Sequence, residues 1–232
     1  ALSPDGVIYV GSKGELGYLD SSHPAGTQYV SLLERIPADY RNFQDVRQTF
    51  ATAQGVYFIT RNAIFLMTQQ QVKVWSTNSA FLKAFWVNNR LIVREEGTGL
   101  LELVQGAFSL LPGSEYFAQT SVFLLEQFNH DSLIVGSREG ELFLLNSEGV
   151  TRWATEIDEA LQQATLYTGM RLSSGDFALG TTQDGVFIVT PYGKLKSHIN
   201  TELGLVDQNV RALYQDHQQG LWLALDHGLS RI

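Results

Sequence analysis

An all-β fold, a β-propeller with four-stranded antiparallel blades, is what this 232-residue sequence predicts, and three observations carry the prediction. First, a pair of short apolar runs joined by a turn recurs six times. Second, the matching apolar positions Leu16, Ile64, Leu100, Leu142, Val186 and Leu229 follow one another at intervals of 48, 36, 42, 44 and 43 residues. A period of about 40–50 residues holding several short strands is the mark of propeller blades. Third, each pair is preceded by an apolar run and followed by a polar, alternating one, the period-two pattern of a strand. Helix has almost no place in the pattern.

In chain order the first piece, residues 1–33, holds VIYVGS (7–12), ELGYL (15–19) and TQYVSL (27–32). A long connection, ERIPADYRNFQD (34–45), leads to the second piece, 46–77, with VRQTF, VYFIT, AIFLM and VKVWST. The third, 80–111, reads FLKAFWV, LIVRE, LLELV and FSLL; the fourth, 121–155, reads SVFLLEQF, LIVGS, ELFLL and VTRWAT. EIDEALQQA (156–164) has no Gly or Pro and predicts one or two helical turns between blades. The fifth piece, 164–199, supplies ATLYTGMRL, FALGT, GVFIV and KLKSHI. The last, 209–232, supplies VRALYQ, LWLAL and GLSRI. The first piece lacks an inner strand and the last lacks an outer one, yet both contain the middle pair. The expectation is therefore four complete and two incomplete blades in a single propeller spanning 1–232. Such a segment is truncated at one or both ends and belongs to a larger, about seven-bladed ring, since an uncapped stack exposes strand edges.

Composition narrows the function. Apolar residues make up 44% of the chain and charged ones 17%, enough for a packed core and too little charge for disorder. A net charge of −8 argues against nucleic acid and anionic membrane surfaces as partners. The absence of cysteine excludes disulfides, thiol nucleophiles and Cys-based metal sites. No apolar run approaches 18 residues, so membrane attachment would need a segment outside this sequence.

The segment GLVDQNVRALYQDHQQGLWLALDHGLSRI (204–232) resembles the two-component regulator propeller repeat family. The resemblance rests on Gly204-Leu205, Asn209-Val210, Asp216, Gly220, Leu221-Trp222 and Gly228-Leu229; residues 3–19 and 173–189 are similar but looser. The copies at 46–67 and 81–104 lack the Asp and the Trp and match by period. There is no Trp-Asp dipeptide of the WD40 kind and no Gly-Gly pair of the kelch kind. What the resemblance implies is a periplasmic sensor propeller of a membrane-anchored histidine kinase or diguanylate cyclase, with a possible homodimer as its working form.

Chemistry-bearing motifs are sparse. Histidines 23, 130, 198, 217 and 227 are scattered, without metal-ligand spacing. No nucleophile elbow, P-loop or dinucleotide fingerprint is present. No cofactor is expected. Asp5 and Asp216 stand before turns, where they would bond nearby backbone amides rather than calcium. Trp222, within LWLAL, reads as blade core. Glu95-Glu96 and Glu139 are the only carboxylates to offer for glycoside chemistry, and solvation explains them as well.

Binding is the stronger reading. In propellers, the loops entering inner strands and the turns joining the two middle strands gather at one mouth of the central channel. Entering loops here carry Tyr40 and Tyr116, and inter-strand turns carry Arg61, Arg138 and His227. Arg47 and Arg211 open inner strands at one register and could hold a carboxylate or sulfate bidentately. Tyr40, Tyr116 and Trp86 could stack on sugar rings. The predicted ligand is a small molecule, a saccharide or an organic acid. The alternatives are a protein-interaction scaffold and, less favoured, a carbohydrate-active enzyme.

Overall fold

The computed structural model describes residues 1–22, 24 and 26–232; His23, one of the scattered histidines, lies outside them. Its chain order is strand after strand, with one α-helix and four short 3-10 turns among the described residues. The strands form six antiparallel sheets, four of four strands and two of three. Two compact units hold three sheets each, Ala1–Ser109 and Leu110–Ile232.

In the first unit, β1 (Ile8–Ser12), β2 (Glu15–Asp20) and β3 (Gln28–Ser31) make a three-stranded blade. The second blade comprises β4 (Gln48–Thr52), β5 (Gly55–Ile59), β6 (Ala63–Met67) and β7 (Val72–Ser76). The third comprises β8 (Phe81–Val87), β9 (Arg90–Glu95), β10 (Gly99–Val104) and β11 (Ala107–Leu110). Two apolar layers glue the blades. Leu16 and Ile36 pack with Phe58 and Phe65, while Tyr57 and Ile64 pack with Phe81 and Val93. The inner strands β4 and β8 are also tied by a side chain. The Gln48 amide accepts from Ala84 N at 2.7 Å and donates to Ala84 O at 2.9 Å.

In the second unit, β12 (Val122–Gln127), β13 (Leu133–Ser137), β14 (Leu142–Asn146) and β15 (Gly149–Arg152) form the fourth blade. The fifth has β16 (Leu166–Arg171), β17 (Phe177–Thr181), β18 (Val186–Val189) and β19 (Leu195–Ile199). The sixth has β20 (Val210–Gln215), β21 (Leu221–Leu225) and β22 (Gly228–Arg231). The predicted helical turns are α1 (Asp158–Ala164), whose Leu161 and Ala164 are buried. Leu161 joins Trp153, Phe177 and Phe187 in the layer between the fourth and fifth blades. Close packing between successive blades of this unit requires glycine. A Cβ on Gly136 would lie 2.6 Å from Leu166 Cδ2, and one on Gly180 would lie 2.8 Å from Val210 Cγ1. Each is a position where the next blade's inner strand rests directly on the backbone.

The structure corrects the predicted blade count. Its described residues form a six-bladed β-propeller with four four-stranded and two three-stranded blades, evenly spaced along the sequence, in place of four complete and two incomplete blades of a seven-bladed ring. The error lay in equating three strands with an unfinished blade. The free edge of β1 is partly bonded already: Leu2 bridges Ile8, and Ala1 exchanges hydrogen bonds of 2.7 Å with Tyr9.

Two smaller expectations also fail. Trp222 is 38% exposed rather than core, because Leu221, Leu223 and Leu225 occupy the β21 face that packs on the fifth blade, and alternation sends Trp222 to the other face. Asp5 makes no side-chain hydrogen bond among the described residues. Its turn is fastened by Ser3, whose Oγ accepts from Val7 N and donates to Val7 O, both at 3.0 Å.

Candidate functional site

The predicted site residues divide between the units. In the first, Tyr40 and Arg61 line one cleft of about 580 Å³, with Asp39, Asn42, Gln44, Asn62 and Thr77. Tyr40 ends a 3-10 turn (Ala38–Tyr40) in the loop entering β4, and Arg61 sits in the tight turn between β5 and β6. The turn is pinned by Thr60, whose hydroxyl donates to Ala63 O at 2.8 Å and accepts from Ala63 N at 3.0 Å. Carbonyl groups of Arg61 and Asn62 accept from Phe81 N at 2.7 Å and Thr77 N at 3.1 Å, which fixes the backbone on which the guanidinium stands. One Nη of Arg61 reaches Glu96 at 3.3 Å, and both side chains are about half exposed. So loose a surface pair contributes little and leaves the other guanidinium donors open. Glu95 beside it accepts a short hydrogen bond from Thr77. Arg47 is exposed, is not among the cleft's lining residues, and has no ion pair among the described residues.

In the second unit Arg211 is exposed but already paired within the chain. Its Nε and Nη2 reach the Asp226 carboxylate at 2.5 and 3.0 Å, and its guanidinium lies 4.9 Å from the Tyr167 ring centroid. Asn209 donates to the same carboxylate at 2.6 Å. These bonds raise the Arg211 pKa and hold the Asp226 carboxyl below its ordinary range. His227 Nδ1 lies 2.6 Å from Asp207 Oδ2, a contact that raises the imidazole pKa and accompanies a lowered one for Asp207. Arg138 is exposed without a side-chain partner among the described residues, and Glu139 likewise. Tyr116 is 56% exposed, with its ring edge-on to Phe117 and Phe143 at 5.2 and 5.3 Å.

Sequence reasoning missed why Arg211 meets Tyr167. Each inner strand of the second unit carries a β-bulge at its second residue, Phe123, Tyr167 or Arg211, and β8 carries one at Leu82. The extra residue breaks the two-residue alternation and re-aims its side chain. Phe123 thereby stands 5.3 Å from Tyr167, and Tyr167 under Arg211. A bulge inserts no special residue type, so the sequence carries no sign of it.

Among the described residues, no three His, Asp or Glu side chains gather as metal ligands, and no helix is long and apolar enough to cross a membrane.

A family model described as "Two component regulator propeller" matches residues 204–227, within the last blade and its approach. No curated protein matches the chain. The WD40 β-propeller domain of Doa1 is similar in structure, with a TM-score of 0.71 at 13% identity, over 97% of this chain and 73% of that one. The extracellular domain of a putative one-component system from B. thetaiotaomicron gives 0.64 at 15% identity over 100% of this chain. That of a putative hybrid two-component system from the same organism gives 0.55 at 13% identity over 98%. The chain spans only 37% and 39% of these two extracellular domains. It is a β-propeller, and its fold is one that extracellular domains of bacterial one- and two-component systems share.

Proposed function

We propose that this propeller is the extracytoplasmic, ligand-sensing part of a bacterial transmembrane signalling receptor, a histidine kinase or diguanylate cyclase. Its stimulus is a small organic acid seated in the Tyr40–Arg61 cleft. The observation that carries this reading is a single cleft holding an aromatic ring and an incompletely paired guanidinium, both on rigidly held turns. The repeat motif at 204–227 and the fold shared with bacterial extracellular sensor domains support the receptor context. A volume of about 580 Å³ falls within the range of small-molecule sites, and Asn42, Asn62 and Thr77 supply neutral donors and acceptors around the cation. A carboxylate displacing Glu96 would gain two parallel N–H···O bonds in place of one long one. The signal requires that ligand bind one arrangement of the receptor more tightly than another.

A thermal-shift screen of organic acids and saccharides tests the assignment. Stabilisation by specific acids without turnover supports a sensor. Product formation lost on changing Glu95 or Glu139 would make the chain an enzyme, and a captured protein partner with no small-molecule hit would make it a scaffold.

A further inference from the structure

A second cleft, of about 210 Å³, lies in the same unit at the other end of the blades. It is formed where the hairpins β4–β5, β8–β9 and β10–β11 turn, whereas Tyr40 and Arg61 belong to the opposite ends of these strands. Three aromatic rings line it. Tyr57 and Trp75 are stacked at 6.4 Å and 27°, and Tyr57 meets Trp86 at 5.8 Å and 39°. Tyr57 is buried, but Trp75 and Trp86 are only half buried.

Several polar groups around the rings have no partner among the described residues. Trp75 is fixed in place by its own indole N–H, which donates to Gly106 O at 2.8 Å. Trp86 has no hydrogen-bond partner for its indole N–H among the described residues. Gln54 accepts from the Tyr57 hydroxyl at 3.1 Å, which orients the amide and leaves its two N–H donors open. Asn89 and Gln105 also line the cleft, and neither side chain is hydrogen-bonded within the described protein.

Gln105 is the most telling. It occupies the first central position of the β10–β11 turn with φ 50°, followed by Gly106 at φ 87°. A two-residue hairpin of this type favours Asn, Asp or Gly there, and glutamine gains no local bond to offset the left-handed backbone. No described residue hydrogen-bonds this side chain. Backbone strain without internal compensation is the kind of outlier that accompanies a binding role.

We infer that this cleft binds one pyranose ring of a saccharide, stacked on Trp86 and Trp75 and hydrogen-bonded by Gln54, Asn89 and Gln105. Flat rings present negative faces to the weakly positive C–H face of a sugar. Planar amides and an indole N–H match the alternating donors and acceptors of its hydroxyls. The charge pattern narrows the class further. No acidic residue lines the cleft and Lys73 stands at its edge, which disfavours a cationic ligand and suits a neutral or uronic sugar. The volume corresponds to about seven water molecules, room for a single ring rather than a chain. The site is independent of the acid-binding cleft and does not rest on the receptor reading.

The test is saturation-transfer NMR and calorimetric titration of the chain with methyl pyranosides of glucose, galactose, mannose, xylose and glucuronic acid. At least one binds, and its affinity falls about tenfold in Trp86→Ala and about fivefold in Gln105→Gly. Gln105→Gly relieves the left-handed strain, so its melting temperature stays level or rises while binding drops, which separates a contact from a folding defect. Absence of binding by all five glycosides at millimolar concentration overturns the inference. So does a glycoside whose affinity is unchanged in both variants, or one lost in Arg61→Gln and retained in Gln105→Gly.

Discussion

The indole N–H of Trp222 donates to Asp216 Oδ2 at 2.9 Å, across the hairpin that the repeat motif encodes. The same carboxylate accepts from the backbone N–H groups of Gln218 and Gly220, both at 2.9 Å, and from Arg231 Nε and Nη2 at 3.1 and 3.0 Å. Arg231 in turn lies 5.8 Å from the Trp222 ring centroid. The Asp-x-x-Gly-x-Leu-Trp pattern is thus one device. The aspartate closes the turn, the glycine leaves room for Arg231, whose guanidinium a Cβ would meet at 2.5 Å, and the tryptophan locks the aspartate from the strand.

The bond from Trp222 is the leading cause that pulls the Asp216 pKa down to about 2, below the ordinary carboxylate range. Because the folded value is depressed, the resulting stability is present above about pH 4 and is lost as pH falls towards 2. Asp216→Asn therefore lowers the melting temperature at pH 6 by more than at pH 2. Thermal unfolding of both proteins across that window checks this, and a gap that does not change with pH contradicts it.

Gly180 tests blade-to-blade packing. Its added Cβ would lie 2.7 Å from Thr168 Cγ2 and 2.8 Å from Val210 Cγ1. Gly180→Ala should cost about 1–3 kcal/mol through overpacking, read by urea denaturation. An unchanged midpoint would mean that the sixth blade does not rest on β17.

The repeat unit was legible because period-two alternation and a spacing of about 43 residues are both properties of the chain itself. The conjunction of Tyr40 and Arg61 was legible for a related reason. In a propeller, blade-entering loops and middle turns share one end, so position along the repeat predicts proximity. Trp222 was misread since alternation assigns a face but not what covers it. The sequence offered Trp86 as a sugar-stacking ring alongside Tyr40 and Tyr116, but not the cleft in which it stands with Tyr57 and Trp75. Tyr57 and Trp86 lie 29 residues apart and meet only after two blades stack, and the backbone of Gln105 leaves no signature in its residue type.

Gln48 offers a test of the inner ring of strands. Its amide satisfies both backbone groups of Ala84, a residue that is 1% exposed. Gln48→Met keeps the volume but abandons both groups, at a cost of about 1–3 kcal/mol. Hydrogen exchange at the Ala84 amide should accelerate in that variant. Unchanged protection would show that the pair contributes nothing to holding β4 against β8.

Glu126, on the inner strand β12, has its pKa pushed up to about 7, chiefly by burial, with Arg171 opposing the shift. A raised folded value means full stability below the unfolded pKa near 4.5, lost as pH climbs through 7. Glu126→Gln removes that loss. Relative to the parent protein, its unfolding free energy at pH 8 should exceed its value at pH 5 by on the order of 3 kcal/mol at most. Equal differences at the two pH values would place the carboxylate in water.

The central claim, that a small acid is sensed by the cleft of Tyr40 and Arg61, is tested most directly by isothermal titration of the acid that best stabilises the protein. Arg61→Gln should weaken binding about tenfold or more, the worth of a charge-assisted bidentate contact, with no change in melting temperature beyond the little that the Glu96 pair contributes. Equal affinity in the parent and in Arg61→Gln would contradict it.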